Sequence, residues 1–251
     1  MFDPILEITE NPNTYTPLAP GDERIVTDGW VLWMGRGDDP HWNVAQRFRL
    51  APDEIEPARA AIHDHLRRQG RTACTWEVGS SATPADLVER LLALGLVEIE
   101  EEFGVGMALT EPLAAPPRAG VEARRTTSDA EELLAAEIAA AAFGGPVIPR
   151  AFEPESDVVT YLAFVDGRPV GRATGSFSAH GVSLFGGGVL PEARGRGAYR
   201  ALVHARFADA VERGTPVAFT QGGRLSRPIL ARLGFRETCT IRVLLDAFDR
   251  A

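Results

Sequence analysis

The decisive stretch of this chain reads Val189-Leu190-Pro191-Glu192-Ala193-Arg194-Gly195-Arg196-Gly197-Ala198-Tyr199-Arg200-Ala201-Leu202. An apolar run ends at a proline, a short loop rich in arginine and glycine follows, and a helical pattern starts at once. The first backbone N–H groups of a helix have no partner inside the helix, and together with the helix dipole they favour an anion. Glycine lets a ligand approach the backbone closely, and arginine adds charge that suits phosphate. The sequence therefore predicts a phosphate-binding loop at the start of a helix.

This loop is neither of the two common nucleotide-binding loops. The chain has no Gly-x-x-x-x-Gly-Lys-Ser/Thr, and no Gly-x-Gly-x-x-Gly follows the strand. All 26 basic residues are arginine, which excludes a Walker-type lysine and any lysine Schiff base, including the attachment of pyridoxal phosphate. From the residues alone, a surface turn of arginine and glycine without a ligand is the alternative interpretation.

The segment resembles the acyl-CoA-binding motif of the GNAT superfamily of N-acetyltransferases, Arg/Gln-x-x-Gly-x-Gly/Ala. Arg194 to Ala198 fit this motif, and Val189-x-Pro191 lies where the fourth strand of the family ends. Tyr199 departs from the family at the final small position. Leu233-Gly234-Phe235, followed by an apolar strand, matches the second landmark of the family. The resemblance covers the chain from about Val121 to its last residue.

The resemblance implies that acetyl-CoA is the acyl donor and that no metal takes part. The pantetheine arm would meet the backbone at the end of the Gly-rich strand, as an added strand does, and the pyrophosphate would meet the amides of the loop. The implied cofactor-binding residues are Gly187, Gly188, Val189, Arg194, Gly195, Arg196, Gly197, Ala198, Tyr199 and Arg200.

The implied reaction is transfer of an acetyl group to a primary amine of a small molecule by direct attack. Many family members carry a tyrosine four residues before the glycine of Leu-Gly-Phe and an asparagine seven residues earlier. These positions are Leu230 and Gly223 here, so the catalytic residues stay unassigned. Two alternatives stay open: a non-catalytic module that binds or senses acyl-CoA, and acetylation of a peptide or protein amine, which an acidic protein surface favours if the substrate is basic.

Few other residues offer proton transfer or metal binding. A proline two residues after Ser226 favours a helix-capping role for this serine over catalysis. His180 lies in a turn before the Gly-rich strand, where it could serve as a base, although a solvated histidine is the simpler interpretation. His63 and His65 are two positions apart on a predicted helix and point to different faces, which argues against a metal pair. His204, on the helix after the loop, is interpreted as a packing or surface residue.

Composition narrows the class of protein further. A formal net charge of −9 argues against a general nucleic-acid or anionic-membrane partner. The start of the chain lacks the basic region and apolar core of a signal peptide, so a cytoplasmic location is expected. Cys74 and Cys239 lie far apart in strand-like contexts and are predicted to be buried thiols. The oligomeric state stays open, with a homodimer as one option.

The N-terminal half repeats the same plan in a reduced form. Leu94-Gly95-Leu96-Val97-Glu98 parallels Leu233-Gly234-Phe235-Arg236-Glu237, and an apolar strand follows in both. Pro52 and Gly70 are 18 positions apart, whereas Pro191 and Gly214 are 23 apart. The missing stretch falls at the arginine–glycine loop, where the first half has the acidic run Pro52–Glu56. Acidic side chains suit a helix N-terminus but repel a pyrophosphate.

The predicted fold is therefore α+β (mixed α/β), with two GNAT-like domains, each a mostly antiparallel central sheet flanked by helices. Residues 1–110 are predicted to form a degenerate domain without the pyrophosphate loop. A linker rich in proline and alanine covers 111–120, and 121–251 form the acyl-CoA-binding catalytic domain. One CoA is expected per chain.

Local signals add detail to this plan. Ser128-x-x-Glu131 predicts a capping box, and Asp166-Gly167 predicts a tight hairpin between two strands. Gly186-Gly187-Gly188 predicts a bulge or a close backbone contact in the next strand. Thr83 is predicted to cap a helix that begins at Pro84, and Glu100-Glu101-Glu102 an exposed strand edge. Core packing is expected for four tryptophans of the first half: Trp30, Trp33, Trp42 and Trp76.

Overall fold

The computed structural model describes residues 3–35, 37, 39–99, 104–113 and 116–248. Its helices are α1 Pro4–Glu10, α2 Pro12–Tyr15, α3 Ile55–Arg68, α4 Leu87–Ala93, α5 Asp129–Phe143, α6 Ala198–Glu212 and α7 Arg227–Arg232. Its strands are β1 Glu23–Val26, β2 Val31–Met34, β3 Asn43–Gln46, β4 Ala73–Gly79, β5 Val97–Glu98, β6 Gly104–Leu109, β7 Val121–Arg125, β8 Val158–Val165, β9 Arg168–Ser178, β10 Gly181–Val189, β11 Ala218–Gly222 and β12 Arg236–Ala247. Among these residues, no helix is long and apolar enough to cross a membrane.

The chain forms two compact units. The first unit holds the residues up to Met107, together with Gln221–Leu230 and the residues from Glu237 onward. The second unit holds Ala108–Thr220 and Ala231–Arg236.

The first unit is built on strands in the order β1-β2-β3-β4-β12, with β5 also on β12. All these pairs are antiparallel except β3 with β4. Helix α3 makes the crossover between the two parallel strands, since parallel neighbours cannot be joined by a hairpin. In the core, the rings of Phe48 and Trp76 stack with centroids 4.7 Å apart, and both side chains are fully buried.

The second unit repeats this arrangement with strands in the order β7-β8-β9-β10-β11. Its pairs are antiparallel except β10 with β11, and α6 makes the crossover between these two strands. Helices α5 and α6 pack on opposite faces of the sheet: Gly187 faces Tyr199 of α6, and Gly188 faces Phe143 of α5. The predicted fold class, a mostly antiparallel sheet flanked by helices in each half, is confirmed.

The observed division of the chain differs from the predicted one, which assigned all of 121–251 to the second domain. Strand β12 pairs with β4 over seven positions, from Ile241 opposite Gly79 to Ala247 opposite Ala73. The last strand therefore belongs to the first unit. A long-range strand pairing of this kind leaves no signal in local sequence patterns, because partner choice is set by tertiary packing.

Most local predictions hold in the structure. Ser128 caps α5 by accepting a hydrogen bond from Glu131 N at 3.4 Å, although the Glu131 carboxylate accepts from Thr127 N rather than from Ser128 N. Asp166 and Gly167 both adopt positive φ, 50° and 75°, as a tight hairpin requires.

One helix start is wrong in the prediction. Thr83 does not cap α4, which begins at Leu87 with Asp86 as its N-cap residue. The Thr83 amide instead donates to Phe48 O, and the Thr83 carbonyl accepts from Leu50 N. Its backbone therefore forms an isolated parallel bridge with Arg49. The predicted edge at Glu100–Glu102 lies outside the described residues.

The cysteine prediction is confirmed, and the tryptophan prediction is confirmed in part. Cys74 and Cys239 are free and buried. Trp30 and Trp76 lie in the core of the first unit. Trp33 and Trp42 form a tilted ring pair instead, and Trp42 is 47% exposed.

Candidate functional site

Strand β10 carries a bulge at its glycines, as predicted. Phe185 lies opposite Thr174 and Gly188 opposite Arg172, so two residues of β10 face one residue of β9. Gly186 adopts a φ of 56° there. Arg172 Nη1 donates to Gly186 O at 2.9 Å and holds the bulge from the neighbouring strand. Burial lowers the pKa of the Arg172 guanidinium to about 10, although the charge of Glu132 opposes this effect.

The opposite edge of β10 is open beyond the bulge. Within the second unit, β10 pairs with β11 at only two positions, Val182 with Ala218 and Ser183 with Phe219. Thr220 Oγ1 then donates to Leu184 O at 2.7 Å, and the described residues of this unit supply no further strand partner on that side. A strand edge without a partner can accept an extended ligand through main-chain hydrogen bonds.

The predicted loop leads into α6 and has two parts. A 3-10 turn covers Pro191–Ala193, Arg194 to Gly197 follow, and α6 begins at Ala198. Gly195 and Gly197 adopt φ values of 77° and 101°, the left-handed region that favours glycine. A side chain added at Gly195 would meet nothing within 4 Å, so the space above this residue is open.

The first amides of α6 lack acceptors. No side chain caps this helix, and among the described residues none accepts a hydrogen bond from the amides of Gly197, Ala198 or Tyr199. Three unpaired N–H groups at the positive end of a fifteen-residue helix form an anion-binding arrangement.

Arginines surround this helix start, and one of them was not predicted. Arg194 and Arg196 are exposed; Arg196 pairs with Asp166 Oδ2 at 2.5 Å, and Arg194 Nε donates to Val189 O at 3.3 Å. The Val189 carbonyl, part of the backbone expected to meet the pantetheine arm, thus already accepts a hydrogen bond. Arg118 also lies here: its Cδ is 3.6 Å from where a Cβ on Gly197 would stand. Because Arg118 belongs to the irregular linker, no motif or periodicity could have indicated it.

Tyr199, the residue that departs from the family motif, is accommodated by a glycine. A Cβ on Gly187 would lie 3.0 Å from the Tyr199 ring, so the ring occupies the space that a side chain on β10 would take. On the other face, a Cβ on Gly188 would lie 2.8 Å from the Phe143 ring. Burial raises the pKa of the Tyr199 phenol. Gly187 and Gly188 are therefore required for packing of the two helices, in addition to any contact with a ligand.

At the positions considered for proton transfer, the structure shows an apolar leucine, a serine that closes a turn, and a histidine far along the strand from the bulge. Leu230 is 1% exposed and has no proton to give. The Ser226 Oγ accepts from Gly223 N at 3.1 Å, which closes the turn before α7. His180 lies in the turn before β10, roughly 17 Å along the strand from the bulge at about 3.3 Å per residue.

The two histidines of α3 contact different partners, as expected for side chains that point to different faces of the helix. His63 Nε2 lies 2.7 Å from Asp246 Oδ2, and its ring stacks on Phe248. Burial by itself raises the pKa of Asp246, but hydrogen bonds from His63 and Arg59 outweigh it and leave this pKa below its usual range. His65 meets the edge of Trp30 instead. Among the described residues, no group of three His, Cys, Asp or Glu side chains is placed to hold a metal ion.

Comparisons with known proteins place this geometry in a structural class. A scan against protein-family models and a search of curated proteins gave no match. The chain is similar in structure to a GCN5-related N-acetyltransferase from Kribbella flavida, at 21% identity and a TM-score of 0.73 over 96% of this chain and 95% of that one. A tandem GNAT protein from the clavulanic acid biosynthesis pathway matches at 15% identity and a TM-score of 0.60, over 97% of this chain and 94% of that one.

A GCN5-related N-acetyltransferase from Sphaerobacter thermophilus matches at 19% identity and a TM-score of 0.58, over 89% of this chain and 82% of that one. The chain therefore has the GNAT fold in its tandem form. The resemblance that the loop and the Leu-Gly-Phe landmark indicated is confirmed at the level of the fold.

Proposed function

We propose that the protein is an acyl-CoA-dependent N-acyltransferase that transfers an acetyl group from acetyl-CoA to a primary amine of a small molecule. The observation that carries this proposal is the set of unpaired amides at Gly197, Ala198 and Tyr199. They adjoin a loop with left-handed glycines and follow a strand whose edge is open. Pyrophosphate would bind at the amides and pantetheine along β10, as in the acyl-CoA site of the GNAT fold.

In this reaction the amine nitrogen attacks the thioester carbonyl carbon. The C–N bond forms, the C–S bond breaks, the amine loses a proton, and the CoA thiolate leaves and is protonated. The thioester is already activated, so the main tasks of the protein are to position the amine and to stabilise the developing oxyanion. At the bulge, Gly186 and Gly187 have no partner residue on β9. Their backbone N–H groups could donate hydrogen bonds to the oxyanion.

Ligand-induced stabilisation tests the donor assignment. Acetyl-CoA or CoA at about 100 times its Kd should raise the free energy of unfolding by about 2.7 kcal/mol. GTP at the same concentration is the matched control, because it carries phosphates without the pantetheine arm. If neither CoA species raises the melting temperature at saturation, the assignment is wrong.

A second candidate function is a non-catalytic sensor of acyl-CoA. The observation that favours it is the buried, apolar Leu230 at the position where many members of the family have a tyrosine that acts as general acid toward the leaving thiolate. Release of free thiol from acetyl-CoA, followed with a thiol reagent over a broad panel of amines, separates the two. Thiol release that depends on an amine supports the enzyme, whereas binding without release supports the sensor.

A further inference from the structure

Two exposed phenylalanines flank the bulge of β10 on one face of the sheet. Phe185, the residue before the bulge, is 44% exposed, and Phe143, the last residue of α5, is 62% exposed. The Phe143 ring lies over Gly188, the residue after the bulge, since a Cβ there would be 2.8 Å from the ring. Phe185 lies opposite Thr174 of β9, and Gly188 lies opposite the residue two positions before it. Positions two apart on a strand point to the same face, so Phe185 and the ring over Gly188 share that face.

The backbone between the two rings is uncovered. Gly186 lies between them in the bulge, is exposed and has no side chain. Phe185 and Gly188 lie three positions apart, which at about 3.3 Å per residue separates their α-carbons by at most roughly 10 Å. Aromatic rings in contact have centroids roughly 4.5–7 Å apart. One apolar group the size of a ring can therefore touch both phenylalanines while it rests on the glycine backbone.

The position of these rings distinguishes them from ordinary surface residues. Apolar side chains exposed singly are common and need no explanation. Phe143 and Phe185 lie instead on either side of the backbone where the oxyanion of the proposed reaction would form. Val147 and Ile148, which follow shortly after α5, are 46% and 65% exposed, so the apolar character continues along the chain. Apolar surface concentrated beside a reacting centre indicates an apolar ligand.

The charge that the structure places at the bulge is positive. Arg172 Nη1 donates to the carbonyl of the bulge at 2.9 Å, and Arg150 adds a second positive charge near Arg172. The charge of Glu132 opposes them, but this carboxylate is buried, and Thr126 and Thr160 donate hydrogen bonds to it at 2.5 and 2.9 Å. A carboxylate that faces a buried arginine in this way does not attract a cation to the bulge, whereas Arg172 repels one.

We propose that the acyl acceptor is an amine with a neutral, apolar body, and that Phe143 and Phe185 determine this specificity. The proposal rests on the proposed transferase function. The amine nitrogen would meet the thioester at the bulge, and an aromatic ring or alkyl chain of the acceptor would cover the two phenylalanine rings. Removal of apolar surface from water on both sides of this contact would stabilise the complex.

Binding of reaction products tests the specificity without turnover. The probes are N-hexylacetamide, N-(6-aminohexyl)acetamide and 6-acetamidohexanoic acid, which share the acetamide and a six-carbon chain and differ at the far end. Ligand-observed NMR titration gives their affinities, without CoA and again with saturating CoA. We expect N-hexylacetamide to bind at least about tenfold more tightly than the aminohexyl compound, because the ammonium would lose water beside apolar rings and be repelled by Arg172. Undetectable binding of N-hexylacetamide, equal binding of all three, or tighter binding of a charged compound would overturn the proposal.

Three variants locate the binding surface. Phe143→Ser and Phe185→Ser each remove one ring, and Leu133→Ser is the matched control, because Leu133 is an apolar residue of the same helix and is 44% exposed. Each ring variant should weaken N-hexylacetamide about three- to tenfold, and the control should bind normally. Phe143 also packs on Gly188, so Phe185→Ser carries the test if Phe143→Ser does not fold. Normal binding by the ring variants, or an equal loss in Leu133→Ser, would contradict the assignment.

Turnover separates this proposal from the transferase itself. Thiol release from acetyl-CoA gives KM and kcat for hexylamine and for ethylamine, which is too short to cover the rings. The ring variants should raise the KM of hexylamine severalfold and leave kcat and the KM of ethylamine unchanged. Selective binding of N-hexylacetamide without thiol release from any amine contradicts the transferase and leaves the apolar site intact. Thiol release without preference for the apolar amine overturns the apolar site and leaves the transferase intact.

Discussion

Helices α3 and α6 begin in two different ways, although each links two parallel strands and each follows a 3-10 turn opened by a proline. In the first unit the turn Pro52–Glu54 runs directly into α3 at Ile55. In the second unit four residues, Arg194 to Gly197, separate the turn from α6. The Glu54 carboxylate accepts from Ala51 N at 2.7 Å, whereas no side chain caps α6.

The difference concerns the features on which the proposed anion site at α6 depends. The start of α3 has its own anions, Glu54 and Glu56, in place, so another anion would be repelled. The start of α6 has no acidic residue in its first turn, and the loop before it lets the amides face open space. A longer loop and the absence of acidic residues in the first turn therefore distinguish the start of α6 from that of α3.

The largest expected effect comes from placing an acid at the start of α6. Gly197→Glu should weaken CoA binding by more than about a hundredfold, because it adds a negative charge beside the unpaired amides and a side chain at a φ of 101°. Isothermal titration calorimetry measures this and should give one site per unaltered chain. Gly197→Asn is the control, since asparagine tolerates this backbone conformation. Normal affinity of Gly197→Glu, or two sites per chain, would show the anion site to be misplaced.

A smaller effect is expected where α6 meets β10. Gly187→Val should lower the free energy of unfolding by about 1–3 kcal/mol, because the added side chain overlaps the Tyr199 ring. The double variant with Tyr199→Ala should recover most of this loss, as measured by urea denaturation. Additive losses in the double variant would mean that the two residues do not compensate for each other.

Arginine side chains should matter less than the amides. Arg196→Ala and Arg118→Ala are each expected to weaken CoA binding about two- to fivefold, the range that corresponds to charge effects of ~0.3–1 kcal/mol at helix ends. The effect should shrink as salt is raised, since both side chains are exposed. A loss as large as that of Gly197→Glu would mean that side chains rather than backbone hold the phosphate.

The smallest effect on CoA is expected at the start of α3. Asp53→Ala and Glu54→Ala should leave affinity and stoichiometry unchanged. Glu54→Ala should still lower the free energy of unfolding by about 0.5–1 kcal/mol, because the Ala51 amide loses its acceptor. Calorimetry measures the CoA affinity and stoichiometry, and thermal unfolding measures the loss of stability. A changed CoA affinity would place a phosphate near this turn.

The features that the sequence predicts well are those set by neighbouring residues. The arginine–glycine loop, the hairpin at Asp166 and the bulge at Gly186 each follow from local backbone requirements. Features that depend on distant residues were not predicted. The capping pattern pointed to Glu131, while the buried Glu132 became visible only once Thr126 and Thr160 were placed around it. Arg118 is brought to Gly197 by the path of the linker alone.

The position of β12 affects the order in which the two units can fold during synthesis. The residues Ala108–Thr220 leave the ribosome before the last strand, which the sheet of the first unit needs to cover β4. At about 5–20 residues per second, the roughly 130 positions from Met107 to Glu237 take about 7 to 26 s to synthesise. For that interval the nascent first unit has a bare β4 edge, a site where strands of other chains can pair. A chain truncated after Arg236 should therefore resist protease in the second unit and be cleaved in the first, because the first unit begins earlier in synthesis but is completed last.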